Sequence, residues 1–210
     1  AYDQRREVNS EFSKYVEKNY LDWVNSESGR PTLSHEIVLK YLVPALETHK
    51  SVFFFVVDCM RLDQWLVMEK YISDYFKISK DYYFSLLPTA TPYSRNAIFA
   101  GLYPSEIEKH YNQLWTTADD DENSKNNFEK DFLQKFLDGR KVKMRTEMKY
   151  TKIMDSDFSR GIENKILQMA NFHLNTVVIN FVDMIAHSRS DNAILKEIAP
   201  DESAYRSLTE

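Results

Sequence analysis

Ser51-Val52-Phe53-Phe54-Phe55-Val56-Val57-Asp58 is the stretch on which the fold turns. Its six middle residues are all β-branched or aromatic, with no polar interruption. Such a run predicts a strand buried on both faces, the kind found in a parallel sheet, and it stops abruptly at an acid. Thr176–Val182 has the same texture and again ends on an acid, Asp183. Between and around these runs the apolar spacing turns helical. Helices are expected over Val8–Val24, from Pro31 or Ser34 through Leu46, over Leu62–Ile72, over Pro92–Ala100 with Gly101 as its stop, from Phe128 to a Gly139 end, and over Phe158–Met169. Glu36, Glu47 and Lys50 are expected to point outward. Further strands are expected near Tyr82–Leu86 and, at a sheet edge, over Lys141–Met148. Asn25–Arg30 and the acidic Asp119–Asn127 read as loops. Strands alternating with helices argue for an α/β fold with a mostly parallel sheet.

The bulk composition narrows the function. The chain has 210 residues, 43% of them hydrophobic, enough for a sizeable core, and a net charge of −5. That charge gives no global basic field for long nucleic acid, although a small phosphate ester needs only a local positive site. The single cysteine, Cys59, allows no intrachain disulfide and points to an intracellular, cytoplasmic setting. The charged start does not read as a signal peptide, and no apolar run reaches membrane-spanning length. No internal repeat or low-complexity linker is evident. The chain starts at Ala1 and stops in a charged, helix-like stretch, so it is expected to be a piece of a longer protein.

Three places carry candidate chemistry. Asp58 and Asp183 each follow an apolar run, and in open α/β sheets ligands bind beyond the carboxyl ends of the strands. Two acids there can converge on one cation, although an Asp after a strand is also a common helix cap. His187, four residues after Asp183, would share a helix face with it, and a carboxylate with an imidazole suits zinc or a similar metal; a chance surface pair is the plainer reading. His35, His49, His110 and His173 lack such settings and are taken as structural or solvated. Thr91-Pro92 places a hydroxyl at a helix N-cap and proline at the first helical position. A phosphate could sit at that helix start while Thr91, its pKa lowered by a base or by a metal held at Asp58, attacks it. A simple capping role is the alternative.

The run Thr91-Pro92-Tyr93-Ser94-Arg95-Asn96-Ala97-Ile98-Phe99-Ala100-Gly101-Leu102-Tyr103-Pro104 resembles the nucleophile segment of the alkaline-phosphatase superfamily, especially its nucleotide-phosphodiesterase branch. Its spacing to Gly101 selects Thr91 over Thr89. Val56-Val57-Asp58-Cys59-Met60-Arg61 is similar to the superfamily's strand-then-Asp element, and Asp183-Met184-Ile185-Ala186-His187 to its Asp-x-x-x-His element. More narrowly, Asp58-x-x-Arg61 and Pro88-Thr89-Ala90-Thr91-Pro92-Tyr93-x-Arg95-Asn96 look like the PglZ-type domain, as found in response regulators tied to type IX secretion.

The resemblance implies an alkaline-phosphatase-like α/β fold present as its N-terminal part. Residues 1–30 would be a helical segment leading from an upstream domain, and 31–210 the PglZ portion. It implies two zinc ions, Thr91 as nucleophile and metal ligand, Asp58, Asp183 and His187 as further metal ligands, and Arg61, Arg95 and Asn96 as phosphate contacts. The implied substrate is a phosphate-ester small molecule or a short linear or cyclic oligonucleotide. Implied partners are a sensor kinase, secretion-system proteins and a second copy of the full-length protein. A non-catalytic zinc-binding signalling domain is the alternative. The superfamily also uses a later Asp-His pair and a further His. No Asp-His dipeptide occurs in the chain, so those ligands are expected beyond Glu210 and the chain alone is expected to be inactive.

Overall fold

The computed structural model describes residues 2–115, 127–153, 166–188, 197 and 201–207. Among these residues it is an α/β structure built on a parallel three-stranded sheet. The strands are β1 (Val52–Val57), β2 (Lys149–Ile153) and β3 (Leu174–Ile179), in the order β1-β3-β2. Val52 pairs with Leu174 and Val57 with Ile179 on one side of β3, and Lys149 pairs with Asn175 on the other. All three strands therefore present their carboxyl ends together.

The middle position makes β3, not β1, the strand covered on both faces: Leu174 to Val178 are all buried. β1 was expected to be buried in the same way, yet Phe55 is 54% exposed. The run is apolar throughout, but among the described residues it has a strand neighbour on one side only. Its Phe54 and Val56 face the main core with Phe99, Leu133 and Val178. Phe53 faces the other way, against Ile153, Met169 and Val177.

The helices are α1 (Tyr2–Asn25), α2 (Val43–Thr48), α3 (Leu62–Ile72), α4 (Thr91–Ala100), α5 (Pro104–His110), α6 (Glu129–Gly139), α7 (Phe181–Ser188) and α8 (Glu202–Ser207). α3 has the bounds that its apolar spacing predicts. α6 buries Phe132, Leu133, Phe136 and Leu137 along one stripe, as its period requires.

Several expected elements take another form. The helix expected through Leu46 is broken into a 3₁₀ turn (Ser34–Glu36), a π turn (Val38–Leu42) and α2. Pro44 has no N–H to offer the carbonyl four residues back, which accounts for the widened turn before it. Glu36 does not point outward; it accepts hydrogen bonds from Leu33 N at 2.8 Å and Arg30 Nη1 at 2.6 Å. Glu47 and Lys50 are exposed as expected. Tyr82–Leu86 forms no strand but one bridge, Phe84 to Leu33, with the Phe84 ring held against Phe12 and Trp23 of α1. Lys141–Met148 is irregular, and the strand starts at Lys149. The alternation there comes from Val142 and Met144 anchoring a bent segment to the core, with Lys141 at φ 55°. The second apolar run stops as a strand at Ile179; Phe181 and Val182 already belong to α7, whose Val182 and Ile185 pack on Val57. The expected loop at Asp119–Asn127 and helix at Phe158–Met169 lie mostly outside the described residues; 166–169 are helical.

Gly101 ends α4 at φ 62°, and a Cβ on it would sit 2.2 Å from Phe136 Cε2. Both the left-handed backbone and the close approach to α6 exclude a side chain there. Gly101→Ala is expected to cost about 2–4 kcal/mol, from the strained dihedral and overpacking together. Chemical denaturation should show a lower midpoint at unchanged slope.

Candidate active site

The site begins where β1 ends. Asp58 N still donates to Ile179 O at 3.0 Å, so the acid is held at the end of the sheet ladder. Cys59 then turns the chain at φ 59°, a left-handed conformation uncommon for a residue with a Cβ. Arg61 caps α3: its N–H donates to Gln64 Oε1 at 2.9 Å, and its guanidinium reaches Asp63 at 2.6 Å.

α4 supplies the hydroxyl. Its N-cap is Ala90, not the expected Thr91: Tyr93 N and Ser94 N both bond Ala90 O at 3.0 Å, so the helix starts one residue earlier and Pro92 is its second residue. The consequence is chemical. Thr91 Oγ1 is not spent capping the helix and lies 3.4 Å from Asp58 Oδ2. That is long for an O–H···O bond, and it matches the edge of a tetrahedron of zinc–oxygen bonds of ~2.1 Å, which is about 3.4 Å. A divalent cation shared by Asp58 and Thr91 would be compatible with that spacing. Among the described residues no group of three His, Cys, Asp or Glu side chains could hold a metal.

Arg95 follows Thr91 by one helical turn, on the same face. It is 4% exposed. Its Nη1 donates to Asp58 Oδ2 at 2.6 Å and to Asn180 Oδ1 at 3.0 Å. Its Nε lies 2.5 Å from Oε1 of Glu129, which is fully buried. The Tyr150 hydroxyl donates to the other Glu129 oxygen, Oε2, and Lys152 Nζ lies 3.6 Å from that same atom. Burial first, then the charge of Glu129, raises the Tyr150 phenol above its ordinary value, so it stays a donor. Asn96, also fully buried, donates to Pro92 O at 2.9 Å and ties the first turn of α4. Of the three residues expected to contact phosphate, Arg61 alone is part-exposed; Arg95 and Asn96 are inside.

Asp183 lies in the first turn of α7 rather than at a strand end, because Asn180 takes that place. It is hydrogen-bonded to Cys59, whose thiol is pushed up by partial burial and by the charges of Asp183 and Asp58. His187 shares α7 with Asp183 at the expected spacing, and its side chain lies outside the described residues. Tyr83 is 44% exposed, and desolvation first, then the Asp58 charge, raises its phenol.

Glu129, Tyr150, Lys152 and Asn180 are absent from the sequence reading. For Glu129 a signal existed: it falls on the stripe of Phe132, Leu133 and Phe136, and an acid on the apolar face of a helix needs a buried partner.

With this geometry in view, comparison with known families gives one result. Residues 38–210 match the PglZ family, described as the BREX system PglZ alkaline phosphatase-like domain. The match covers most of the chain, which belongs to this family. No curated protein matches it. Among the described residues no helix is long and apolar enough to cross a membrane.

The buried network predicts a hierarchy of stability losses. Glu129→Ala leaves the Arg95 guanidinium buried with one counter-ion lost and is expected to cost about 3–5 kcal/mol. Tyr150→Phe removes one hydrogen bond to a charged group and is expected to cost about 1.5–3 kcal/mol. Urea unfolding followed by circular dichroism measures both.

Proposed function

We propose that this PglZ domain is a metal-dependent phosphoric-ester hydrolase, a phosphodiesterase in which Thr91 is the nucleophile. The observation that carries the reading is the uncapped Thr91 hydroxyl at the start of α4, facing Asp58 at the carboxyl end of the sheet. A helix N-terminus favours an anion by its dipole. Asp58 and Thr91 would hold one zinc ion, and Asp183 with His187 the second. Zinc held by these residues would lower the hydroxyl pKa and neutralise the leaving oxygen. The Thr91 hydroxyl would give its proton to water, its oxygen would form a bond to phosphorus as the bond to the leaving alkoxide breaks in line, and the alkoxide would leave as the alcohol by taking a proton from water. Water later cleaves the phospho-threonine and restores the hydroxyl. Asp58 would orient Thr91, and Arg61, part-exposed and paired with Asp63, would have to turn from that acid to meet phosphate oxygens.

The substrate class is short linear or cyclic oligonucleotides, or a similarly small phosphodiester. In the cell we place the domain in the cytoplasm, as the output of a response regulator like PorX. A sensor kinase, secretion-system proteins and a second copy of the chain would be its partners. These assignments rest on the likeness of Asp58-x-x-Arg61 and the Thr91 segment to that regulator's PglZ domain.

The test is hydrolysis of bis-p-nitrophenyl phosphate by the zinc-loaded full-length protein. Thr91→Ala is expected to lower kcat by roughly 10³-fold or more. Undiminished turnover in that variant removes Thr91 from the nucleophile role. Zinc held in a closed four-ligand site, with no turnover in the parent protein, would instead mark a signalling module that keeps its metal for folding.

A further inference from the structure

We infer that Arg95 and Glu129 form a buried charge clamp that positions Asp58, and that Arg95 is a positioning residue rather than a phosphate ligand. The inference rests on the hydrolase reading for its kinetic arm only. Two donors of one guanidinium face two different acids: Nη1 meets Asp58 Oδ2 at 2.6 Å, and Nε meets Glu129 Oε1 at 2.5 Å. Asn180, at the end of β3, accepts from the same Nη1 at 3.0 Å. The Asp58 carboxylate is thereby fixed from α4, β3 and α6 at once. It keeps Oδ2 within 3.4 Å of the Thr91 hydroxyl.

Glu129 does more than anchor. A guanidinium beside Asp58 repels any cation that Asp58 and Thr91 would share. The carboxylate of Glu129, fully buried behind Arg95, offsets that charge. Partners that hold a metal's ligands in this way typically govern affinity or activity by about 10- to 100-fold. Nε meets Glu129 as an ion pair without hydrogen-bond geometry, and Nη2 of Arg95 is buried with no hydrogen-bond partner among the described residues. A phosphate ligand would use it, and that role has a different kinetic signature.

The experiment compares Glu129→Gln, Arg95→Lys and Tyr150→Phe with the parent in the full-length protein. Zinc affinity is read by chelator competition, alongside kcat and KM. Glu129→Gln keeps the side-chain shape and removes the charge. It is expected to weaken zinc binding and lower kcat, each by about 10- to 100-fold, with KM within about twofold. Arg95→Lys keeps the charge but cannot span both acids, and should follow the same pattern. Tyr150→Phe strips a donor from Glu129 and leaves its charge. It should lose stability while zinc affinity and kcat stay within about threefold. A Glu129→Gln variant that behaves like Tyr150→Phe overturns the clamp. So does an Arg95→Lys variant whose KM rises with zinc binding and kcat unchanged, since that marks a substrate ligand.

Crystal structures give a readout free of metal and turnover. Arg95→Lys should leave the Asp58 carboxylate in another rotamer, away from Thr91, and an unmoved carboxylate overturns the inference. They also cover a Glu129→Gln protein that does not fold. A parent protein without zinc binding or turnover counts against the hydrolase reading alone, because the rotamer of Asp58 still decides the clamp.

Discussion

Arg95 sits almost wholly out of water between a carboxylate that ends β1 and a carboxylate that starts α6. Taking such groups out of water costs several kcal/mol per ion, and mutual attraction offsets this only when the geometry is good and the remaining donors and acceptors are satisfied. Here the condition is met in part: Asn180 accepts from the same Nη1 that meets Asp58, and Tyr150 and Lys152 take the far oxygen of Glu129, while Nη2 of Arg95 has no hydrogen bond among the described residues. These residues come from all three strands or their ends and from two helices. Apolar packing has no direction and would tolerate small slips of α4 along the sheet. A forked guanidinium between two fixed acids does not, so the network sets where α4 stands, and with it Thr91.

The start of α4 shows how a one-residue shift in a helix boundary changes chemistry. Had Thr91 been the cap, its oxygen would accept from the helix's own N–H groups and be spent. With Ala90 in that place, the backbone closes the first turn by itself and the threonine side chain is turned toward Asp58. Gly101 completes the arrangement at the other end, because its missing Cβ lets α4 meet Phe136 of α6. That contact brings α6 close enough for Glu129 to reach Arg95.

Much of this was legible from local pattern. The apolar runs located β1 and β3, the 3.6-residue period located α3 and α6, and the Thr-Pro to Gly spacing located α4. The motif residues Asp58 and Thr91 do meet. What was not legible depended on partners far along the chain. β1 and β3 look alike as sequences, and only the pairing order shows that β3 is the inner strand. Phe181 and Val182 continue an apolar run while the backbone changes from strand to helix, so Asp183 was placed at a strand end that Asn180 occupies. Arg95 was expected to contact phosphate, and its burial between two acids was not legible because they lie 37 and 34 residues away in opposite directions along the chain.

The charge balance of the site bears on what it can bind. Asp58, Asp183, Asp63 and Glu129 stand against Arg61, Arg95 and Lys152, so the described side chains around Thr91 carry more acid than base. The arginines are also committed: Arg61 to Asp63, and Arg95 to Asp58 and Glu129. A phosphodiester anion approaching the Thr91 hydroxyl therefore meets a field that repels it, and the helix dipole, about half a charge, only partly offsets this. A phosphoryl transferring centre needs positive charge on its oxygens as the bond to phosphorus forms. Under the proposed hydrolase reading, most of that charge would have to come from outside the described side chains. A divalent cation between Asp58 and Thr91 would supply it, and the surplus of acid that disfavours the bare anion is the feature that would favour the metal.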